Sequence, residues 1–416
     1  MAAKATSLVI VESPSKAKTI SKYLGKKFIV EASVGHIRDL PKSKIGVNIE
    51  DGYSPDYVTI KGKADVIKSL RSKAKIAETV YLATDPDREG EAIAWHIAHE
   101  ISAHGKENDK IFRVLFHEIT PKGIQSAMNE PLKIDNQLVE SQQARRVMDR
   151  ILGYKVSPFL WKKVTYGLSA GRVQSVALRL ICEREEAINK FIPTEYWSIV
   201  AEFFVTKGES FFAKLFRIGG KELIVPEKEL LIENERKGTS EKYTSIANKE
   251  TADEYIRDIP SHIYTLSDIQ KKESRRQPLP PFITSTLQQE AASKLRFSAK
   301  KTMMFAQQLY EGIELGDEGT VGLITYMRTD STRLSDDIVL ELREYIFSNY
   351  GKDYLPSEPR IFKKKKTSQD AHEAIRPTML KHTPKYVKKF LTKEQFALYE
   401  LIWNRFVACQ MSPAVL

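Results

Sequence analysis

Three carboxylates stand close together in the segment T-D-P-D-R-E-G-E, at Asp85, Asp87 and Glu89. The segment follows the apolar run Thr79–Ala83 and precedes a run of helical character, so a tight strand-to-helix turn is predicted. Crowded carboxylates repel one another unless a cation neutralises them, and Mg²⁺ prefers such an oxygen-only set. The alternative is helix capping, with Asp87 as the N-cap and Glu89 interacting with the helix dipole.

Glu12 is expected to lie near this turn. The apolar run Ser7–Val11 predicts a strand that ends at Glu12, and Ser13 followed by Pro14 predicts the start of a helix that closes at Gly25. Alternation of such strands and helices is typical of a parallel α/β sheet, in which ligands bind beyond the carboxyl ends of the strands. Glu12 and Asp85 both follow strand ends, so they can meet although they are far apart in sequence.

A candidate nucleophile stands in T-V-G-L-I-T-Y-M-R-T-D-S-T, at Tyr326. If Val321–Arg328 forms a strand, Tyr326 and Arg328 share one face. A guanidinium beside a phenol lowers the phenol's pKa and neutralises charge developing on a phosphate. The alternative is an ordinary packing role, which most of the 17 tyrosines in the chain must have.

Composition narrows the class of protein. The 416 residues are enough for two to four domains, and a net charge of +11 favours a polyanionic partner, nucleic acid first. The two cysteines, Cys182 and Cys409, form neither a C-x-x-C zinc site nor a disulfide framework, which fits a reducing, intracellular compartment. No apolar run approaches the length of a membrane span, and no G-x-x-x-x-G-K-[ST] phosphate loop indicates ATP use.

A succession of motifs covers nearly the whole chain. They are L-V-I-V-E-S-P-S-K-A-K-T-I (8–20), V-G-H-I-R-D-L-P (34–41), A-T-D-P-D-R-E-G-E-A-I-A-W-H (83–96), Q-Q-A-R-R-V-M-D-R-I-L-G-Y (142–154), L-S-A-G-R-V-Q-S-V-A-L-R-L (168–180), G-L-I-T-Y-M-R-T-D-S-T (322–332) and Q-D-A-H-E-A-I-R-P-T (369–378). By these motifs, in this order, the chain resembles the type IA DNA topoisomerases, in particular the bacterial topoisomerase I branch.

The resemblance implies a multidomain fold in which α/β, helical and β-rich parts form a toroidal arch. The expected parts are a Toprim α/β domain (1–135), the first segment of a helical single-strand-groove domain (136–194), the first segment of a β-rich hinge domain (195–270), a mostly helical domain carrying the nucleophilic tyrosine (271–410) and the start of a return into the hinge domain (411–416). Family members usually continue for several hundred residues more. We therefore expect an N-terminal portion, with an incomplete arch and exposed apolar surface.

The resemblance also implies an activity. Tyr326 would cleave one DNA strand through a 5′-phosphotyrosine link, a strand would pass through the break, and religation would relax negatively supercoiled DNA without ATP. The expected cofactor is Mg²⁺, and the expected partner is a single-stranded region of negatively supercoiled duplex DNA, with no membrane. A monomer located in the cytoplasm, at the nucleoid, is expected.

The catalytic and metal-binding residues follow from the same resemblance. Besides Tyr326, the catalytic group comprises Glu12, Lys16, Arg328 and His372. Glu12 is the expected general acid/base for the leaving 3′-oxygen, with a pKa raised by neighbouring carboxylates, and Lys16 is expected to pair with the scissile phosphate. Arg328 would stabilise the pentavalent phosphorus. The expected metal ligands are Asp85, Asp87, Glu89 and Glu12.

A DNA-binding set is implied as well. Its members are His36, Arg145, Arg146, Asp149, Tyr154, Ser169, Arg172, Gln174 and Arg376. In the family's single-strand groove, a cytosine upstream of the cut lies between an arginine plane and a tyrosine ring, and by position these are Arg146 and Tyr154. Ser169, Arg172 and Gln174 would contact backbone phosphates.

Three other functions remain open from the sequence. The first is a fragment that binds or cleaves single-stranded DNA without relaxing it. The second is a Toprim nuclease or primase-like enzyme, which would use Glu12 and the acidic turn but would not need Tyr326. The third is a non-catalytic DNA-binding module, which would bind DNA in a salt-sensitive way without any Mg²⁺-dependent cleavage.

Overall fold

The N-terminal region alternates strands and helices, as the sequence predicts. The computed structural model describes residues 7–102, 109–204, 208–223, 243–362 and 373–416. The first elements are β1 (Ser7–Val11), α1 (Pro14–Leu24), β2 (Phe28–Ala32), β3 (Arg38–Asp39), β4 (Val47–Asn48), β5 (Ser54–Pro55), β6 (Val58–Thr59), α2 (Ala64–Ile76), β7 (Thr79–Leu82), α3 (Arg88–Ile101), β8 (Ile111–Arg113) and α4 (Pro121–Asn129).

A parallel four-stranded sheet forms the frame of this region, with the strand order β2-β1-β7-β8. Leu8 pairs with Ile29 on one side and with Val80 on the other. The central strand β1 is almost wholly buried, which is typical of a parallel sheet covered on both faces. Because β1 and β7 run in the same direction and in register, Glu12 and Asp85 follow the same edge of the sheet.

The ends of α1 agree with the sequence prediction. The Ser13 side chain accepts a hydrogen bond from the Lys16 N–H, and Pro14 occupies the first helical position. Gly25 ends the helix with φ of 73°, a value that favours glycine. These local signals place Glu12 immediately before α1 and Lys16 in its first turn.

A helical segment follows the α/β region. It consists of α5 (Asn136–Ile151), a π-helical turn (Leu152–Val156) and α6 (Ser157–Lys163). Asp135 is the N-cap of α5, where its Oδ1 accepts hydrogen bonds from the N–H groups of Gln137 and Leu138. This N-cap fixes the start of α5, the helix that carries several of the predicted DNA-binding residues.

The chain divides into two compact units, residues 1–172 with 273–416, and residues 173–272. The second unit holds nearly all of α7 (Arg172–Asn189), then β9 (Val200–Phe204), β10 (Ser210–Lys214), β11 (Arg217–Ile218), β12 (Lys221–Leu223), β13 (Tyr243–Thr244) and α8 (Lys249–Asp258). Strands β9 and β10 form an antiparallel pair, and β11, β12 and β13 form a small mixed sheet. Helix α7 buries no residue and exposes apolar side chains such as Val173 and Ile181, so the expected exposed apolar surface is present.

The later elements belong to the first unit. They are β14 (Arg275–Arg276), α9 (Thr284–Glu290) with a π-helical turn (Ala291–Leu295), α10 (Ala299–Glu311), β15 (Ile313–Glu314), β16 (Thr320–Val321), α11 (Asp336–Tyr350), α12 (Pro384–Val387), α13 (Lys393–Cys409) and β17 (Ala414–Val415). One hydrophobic core joins Val11 and Phe116 of the α/β region to Tyr310, Leu323 and Tyr326. None of the helices in the described ranges combines the length and apolarity needed to cross a membrane.

The strand predicted over Val321–Arg328 is wrong beyond its start. Only Thr320–Val321 forms a strand, and Ile324 makes a single bridge to Pro377. The N–H groups around the tyrosine bond to different neighbouring segments: Tyr326 donates to the His117 carbonyl, whereas Thr325 donates to the Arg376 carbonyl. Tyr326 is therefore fixed by main-chain bonds to irregular segments rather than by a regular ladder.

Candidate active site

The acidic turn between β7 and α3 holds two of its carboxylates by different contacts. Asp87 is the N-cap of α3, where its Oδ1 accepts a hydrogen bond from the Gly90 N–H at 2.8 Å. Asp85 is buried and pairs with Lys16. A Cβ at Gly90 would lie 2.1 Å from the Asp85 carbonyl oxygen, so the turn requires glycine there. The capping interpretation is thus confirmed for Asp87, and it uses only one of the two carboxylate oxygens.

The second oxygen of Asp87 receives the candidate nucleophile. The Tyr326 hydroxyl donates a hydrogen bond to Asp87 Oδ2 at 2.7 Å, and Arg328 Nη1 donates to the same oxygen at 3.1 Å. Tyr326 is 2% exposed, and its ring meets that of Tyr310 edge-on with centroids 5.3 Å apart. The structure therefore brings the late tyrosine against the early acidic turn.

The pKa of the Tyr326 phenol depends on its burial and on several charged neighbours. Burial, followed by the charges of Asp85 and Asp87, raises the pKa of the Tyr326 phenol, and Arg328 offsets only part of that rise. Arg328 lowers the pKa of the phenol, as the sequence predicts, but desolvation and two carboxylates outweigh this one guanidinium. Tyr326 is thus a protonated phenol that must lose its proton as it attacks.

Glu12, Lys16 and Asp85 form a buried charged group at the edge of the sheet. Lys16 lies between the two carboxylates and pairs with both. Burial raises the pKa of Glu12 to about 7, with Lys16 opposing the rise and Asp85 adding to it. Burial alone lowers the pKa of Lys16, but the charges around it, both carboxylates included, reverse that effect and keep the ammonium charged. Glu12 therefore changes its protonation near neutral pH, as a general acid/base must.

The acidic side chains line one open cavity of about 510 Å³. Glu12, Asp85, Asp87 and Glu89 contribute to its wall, together with Arg328. Glu12 Oε2 is buried and has no hydrogen-bond partner among the described residues. The cavity thus combines the carboxylates, the guanidinium and an unsatisfied oxygen that can accept a proton or a cation.

One face of α10 completes this cavity, and the sequence analysis missed it. The lining side chains are Lys300, Met303, Met304 and Gln307. Their i, i+3, i+4, i+7 spacing puts them on one helical face, and the mixture of a lysine, an amide and thioethers on that face was the available signal. Lys300 thus joins Arg328 as a second positive charge in a wall that also carries four carboxylates.

Two further cavities, of about 770 and 520 Å³, adjoin the first one. The larger shares Asp87 and Arg328 with it, and the smaller shares His36. Arg145 and Asp149 of α5 line both of the adjoining cavities. The predicted DNA-binding residues on α5 therefore open onto the space that leads to Tyr326.

Arg146 and Asp149 of α5 are both engaged in ion pairs. Arg146 donates to both oxygens of Asp39, at 2.9 and 2.6 Å. Arg172 donates in the same bidentate way to Asp149, at 2.6 and 2.9 Å. The guanidinium of Arg150 lies over the Tyr154 ring, 5.0 Å from the ring centroid. The Asp39 carboxylate holds Arg146, and the cytosine site between Arg146 and Tyr154 stays a prediction.

Three predicted residues are placed elsewhere, and a fourth is not described. Arg376 is 5% exposed and bonds to Glu373 and Glu118, so the structure gives it an internal ion-pair role. Ser169 lies in an exposed loop before α7, and Gln174 lies on α7 in the second unit. His372 lies outside the described residues.

The carboxylates are better arranged to bind a cation that keeps some of its waters than to supply all of its ligands. The described residues contain no group of three or more His, Cys, Asp or Glu side chains arranged to hold a metal ion. Asp85 pairs with Lys16, and Asp87 is engaged by Tyr326 and Arg328. Mg²⁺ commonly binds through one or two carboxylates, keeping waters and taking substrate phosphates as further ligands. The unsatisfied Glu12 Oε2 and the other carboxylate oxygens in the wall fit that mode of binding.

Comparisons with known proteins agree with this architecture. A family model described as DNA topoisomerase matches residues 133–416, and a model of the Toprim domain matches residues 7–119. Full-length topoisomerase I from Thermotoga maritima is similar to this chain, with 42% sequence identity and a TM-score of 0.79 over 98% of this chain and 61% of that one. The chain thus spans about three fifths of the length of that protein. The chain belongs to the type IA DNA topoisomerase family, with an N-terminal Toprim domain.

Proposed function

We propose that this chain carries the cleavage and religation centre of an enzyme that relaxes negatively supercoiled DNA. The observation that carries the proposal is the hydrogen bond from the Tyr326 hydroxyl to Asp87, beside Arg328 and the Glu12–Lys16–Asp85 group. A cation and a titratable acid thus line one cavity, and the nucleophile is hydrogen-bonded to Asp87 in its wall. Such a constellation is suited to phosphoryl transfer to a side chain.

The proposed step is a transesterification. Tyr326 Oη forms a bond to the phosphorus of a single-stranded DNA phosphodiester, and the bond from phosphorus to the 3′-oxygen breaks. The phenolic proton passes toward Asp87, the carboxylate to which the hydroxyl already donates. Protonated Glu12 gives a proton to the leaving 3′-oxygen. Religation reverses each transfer, with Glu12 then acting as the base.

Charge on the transferring phosphate has defined partners in this cavity. Arg328 is half exposed beside Tyr326 and can donate to a phosphate oxygen, which stabilises the pentavalent state. Lys16 offsets the charge of Asp85 and, when Glu12 is ionised, part of the charge of that carboxylate as well. Mg²⁺, bound through one or two of the carboxylates of Glu12, Asp85, Asp87 and Glu89, would supply further neutralisation of the scissile phosphate.

The substrate is proposed to be a single strand within negatively supercoiled DNA. Arg145, Arg146 and Arg172 line cavities that adjoin the reactive one, which supports a strand path along α5. The phosphotyrosyl bond keeps the energy of the broken phosphodiester, so no ATP is required. We also propose a monomer in the cytoplasm, consistent with Cys182 and Cys409 both being free thiols.

Replacing the nucleophile tests the proposal. Tyr326→Phe is expected to abolish the covalent complex on a 3′-labelled single-stranded oligonucleotide, while binding to the same oligonucleotide is retained. Tyr399→Phe is the matched control, because Tyr399 is also a buried phenol, hydrogen-bonded to the His382 carbonyl at 2.6 Å. The control is expected to form the covalent complex at the normal rate.

Strand cutting that continues in Tyr326→Phe would contradict the proposal and favour a Toprim nuclease. Binding without any cutting by the unaltered chain would favour a non-catalytic DNA-binding module. Relaxation of a negatively supercoiled plasmid is scored separately, because the similar Thermotoga maritima protein is longer than this chain. Covalent capture without relaxation would support the alternative of a chain that cleaves but does not relax DNA.

A further inference from the structure

A buried ion pair lies beneath the acidic turn, and no step proposed above uses it. Arg113 is the last residue of β8 and is 1% exposed, and Glu91 of α3 is 3% exposed. Arg113 Nε donates to Glu91 Oε2 at 2.8 Å. Burying a charged pair is costly and contributes little net stability by itself, so the other bonds that the pair makes carry its role.

Those bonds go to the main chain of the acidic turn. Arg113 Nη1 donates to the carbonyls of Leu82 and Thr84, at 2.8 and 3.0 Å. Its Nη2 donates to the Asp85 carbonyl at 2.7 Å. A further bond from Nη1 reaches the Val114 carbonyl at 2.8 Å. One rigid guanidinium thus fixes the chain where β7 leaves the sheet and the carboxylates begin.

Glu91 connects the same pair to the helix of the proposed DNA path. Its Oε1 accepts a hydrogen bond from the Asp135 N–H at 2.8 Å, and Asp135 is the N-cap of α5. Farther along α5, Gln142 donates to Glu89 of the acidic turn at 3.1 Å. Two hydrogen bonds therefore connect this part of the chain to α5, one through the buried Glu91 side chain and one through Glu89 at the cavity.

We propose that Arg113 and Glu91 are positioning residues that hold the acidic turn in its reactive shape and in register with α5. The inference rests on the proposed function for its catalytic consequence, whereas its structural content does not depend on that function. Neither side chain lines the cavity that holds Asp87 and Arg328, so the pair acts through the main chain of Leu82–Asp85 and through Asp135. Lysine at position 113 would keep the charge but could not reach the same set of acceptors.

Hydrogen–deuterium exchange on the full chain tests the structural part. Arg113→Lys is expected to speed exchange by about tenfold or more in peptides covering 82–91 and the start of α5, while the rest of the first unit is unchanged. The matched control is Arg343→Lys, because Arg343 also donates to two main-chain carbonyls, those of Pro356 and Ser357, away from the acidic turn. The control is expected to leave both peptides unchanged.

The Mg²⁺ concentration that gives half-maximal covalent complex on single-stranded DNA tests the functional part. Arg113→Lys is expected to raise it by about tenfold or more, as loss of supporting contacts to metal ligands commonly does. If Arg113→Lys does not fold, Glu91→Gln serves instead, since it keeps the shape of the side chain but cannot bond to both Arg113 and Asp135 as a carboxylate does. A folded variant with unchanged exchange in both peptides overturns the inference.

The two proposals fail in different ways. Absence of covalent complex from the unaltered chain overturns the proposed function, while the exchange measurement still decides the role of Arg113. Normal covalent complex together with an unchanged Mg²⁺ requirement in a variant with faster local exchange overturns the catalytic consequence of the positioning.

Discussion

The Glu12–Lys16–Asp85 group (the acidic centre) and the two cavities lined by α5 both contain ion pairs. The pairs differ in how far they are exposed to solvent. In the centre, Lys16 and its carboxylate partners are buried, and Glu12 has a pKa raised to about 7. Along α5, the pairs of Arg146 with Asp39 and of Arg172 with Asp149 are partly exposed to solvent. Buried charges keep strong interactions, whereas exposed pairs are screened by salt and contribute little to stability.

This difference suits the two proposed tasks. Bond breaking needs groups fixed before the substrate arrives, and burial with main-chain support from Arg113 supplies that. Strand binding needs cations that can exchange a protein carboxylate for a phosphate at low cost, and exposed bidentate arginines meet that need. A change in the centre should therefore cost far more activity than a matched change along α5.

The largest effect is expected for Glu12→Gln. The protonated carboxyl is the proposed acid, so single-turnover cleavage by the unaltered chain should fall as pH rises through about 7, while religation, which uses the carboxylate, should rise. Glutamine at position 12 should abolish the pH dependence of both cleavage and religation, and it should slow cleavage by about 10²–10⁴-fold. Rates measured on a labelled oligonucleotide from pH 5.5 to 9 check this.

A substrate with sulfur in place of the leaving 3′-oxygen gives the control for Glu12→Gln, because a thiolate leaves without protonation. The variant should cleave this substrate at nearly the rate of the unaltered chain. Equal slowing on both substrates would mean that Glu12 does not protonate the leaving atom. The acidic centre would then differ from the α5 cavities in the burial of its charges but not in proton transfer.

An intermediate effect is expected from adding one methyl group in each region. Gly90→Ala places a Cβ 2.1 Å from the Asp85 carbonyl oxygen, and it should lower the free energy of unfolding by about 1–3 kcal/mol or more. Gly153→Ala, in the helical turn after α5, meets nothing within 4 Å and should raise that free energy by about 0.5–1 kcal/mol. Urea denaturation of both variants measures the contrast, and equal destabilisation would show that the acidic turn is no more tightly built than α5.

The smallest effect is expected for Arg172→Ala. Loss of one phosphate contact should weaken binding to single-stranded DNA several-fold at low salt and reduce the salt slope by about 0.7. The cleavage rate at saturating DNA should not change. Arg179→Ala is the matched control, because Arg179 also pairs with a carboxylate, Glu183, on the exposed surface of α7. An unchanged salt slope in Arg172→Ala would remove Arg172 from the proposed strand path.

The sequence predicts local features better than it predicts their partners. The strand β1, the caps of α1 at Ser13 and Gly25, and the capping role of Asp87 all follow from residues within a few positions of one another. The net rise of the Tyr326 pKa does not, because it depends on burial and on carboxylates 239 or more positions earlier in the chain. The pairing of Arg146 with Asp39, 107 positions away, is equally invisible to local spacing. Arg113 lies in an ordinary short strand, and only the fold reveals the carbonyls around it.

The central claim is that the phenolic oxygen of residue 326 becomes covalently joined to DNA in this acidic cavity. It is tested most directly by denaturing the chain during reaction with single-stranded DNA, digesting the trapped complex, and identifying the modified peptide by mass spectrometry. The account predicts a nucleotide 5′-phosphate attached to Tyr326 and to no other residue. An adduct on a different side chain, or cut DNA with free 5′-phosphate and no adduct, would contradict it.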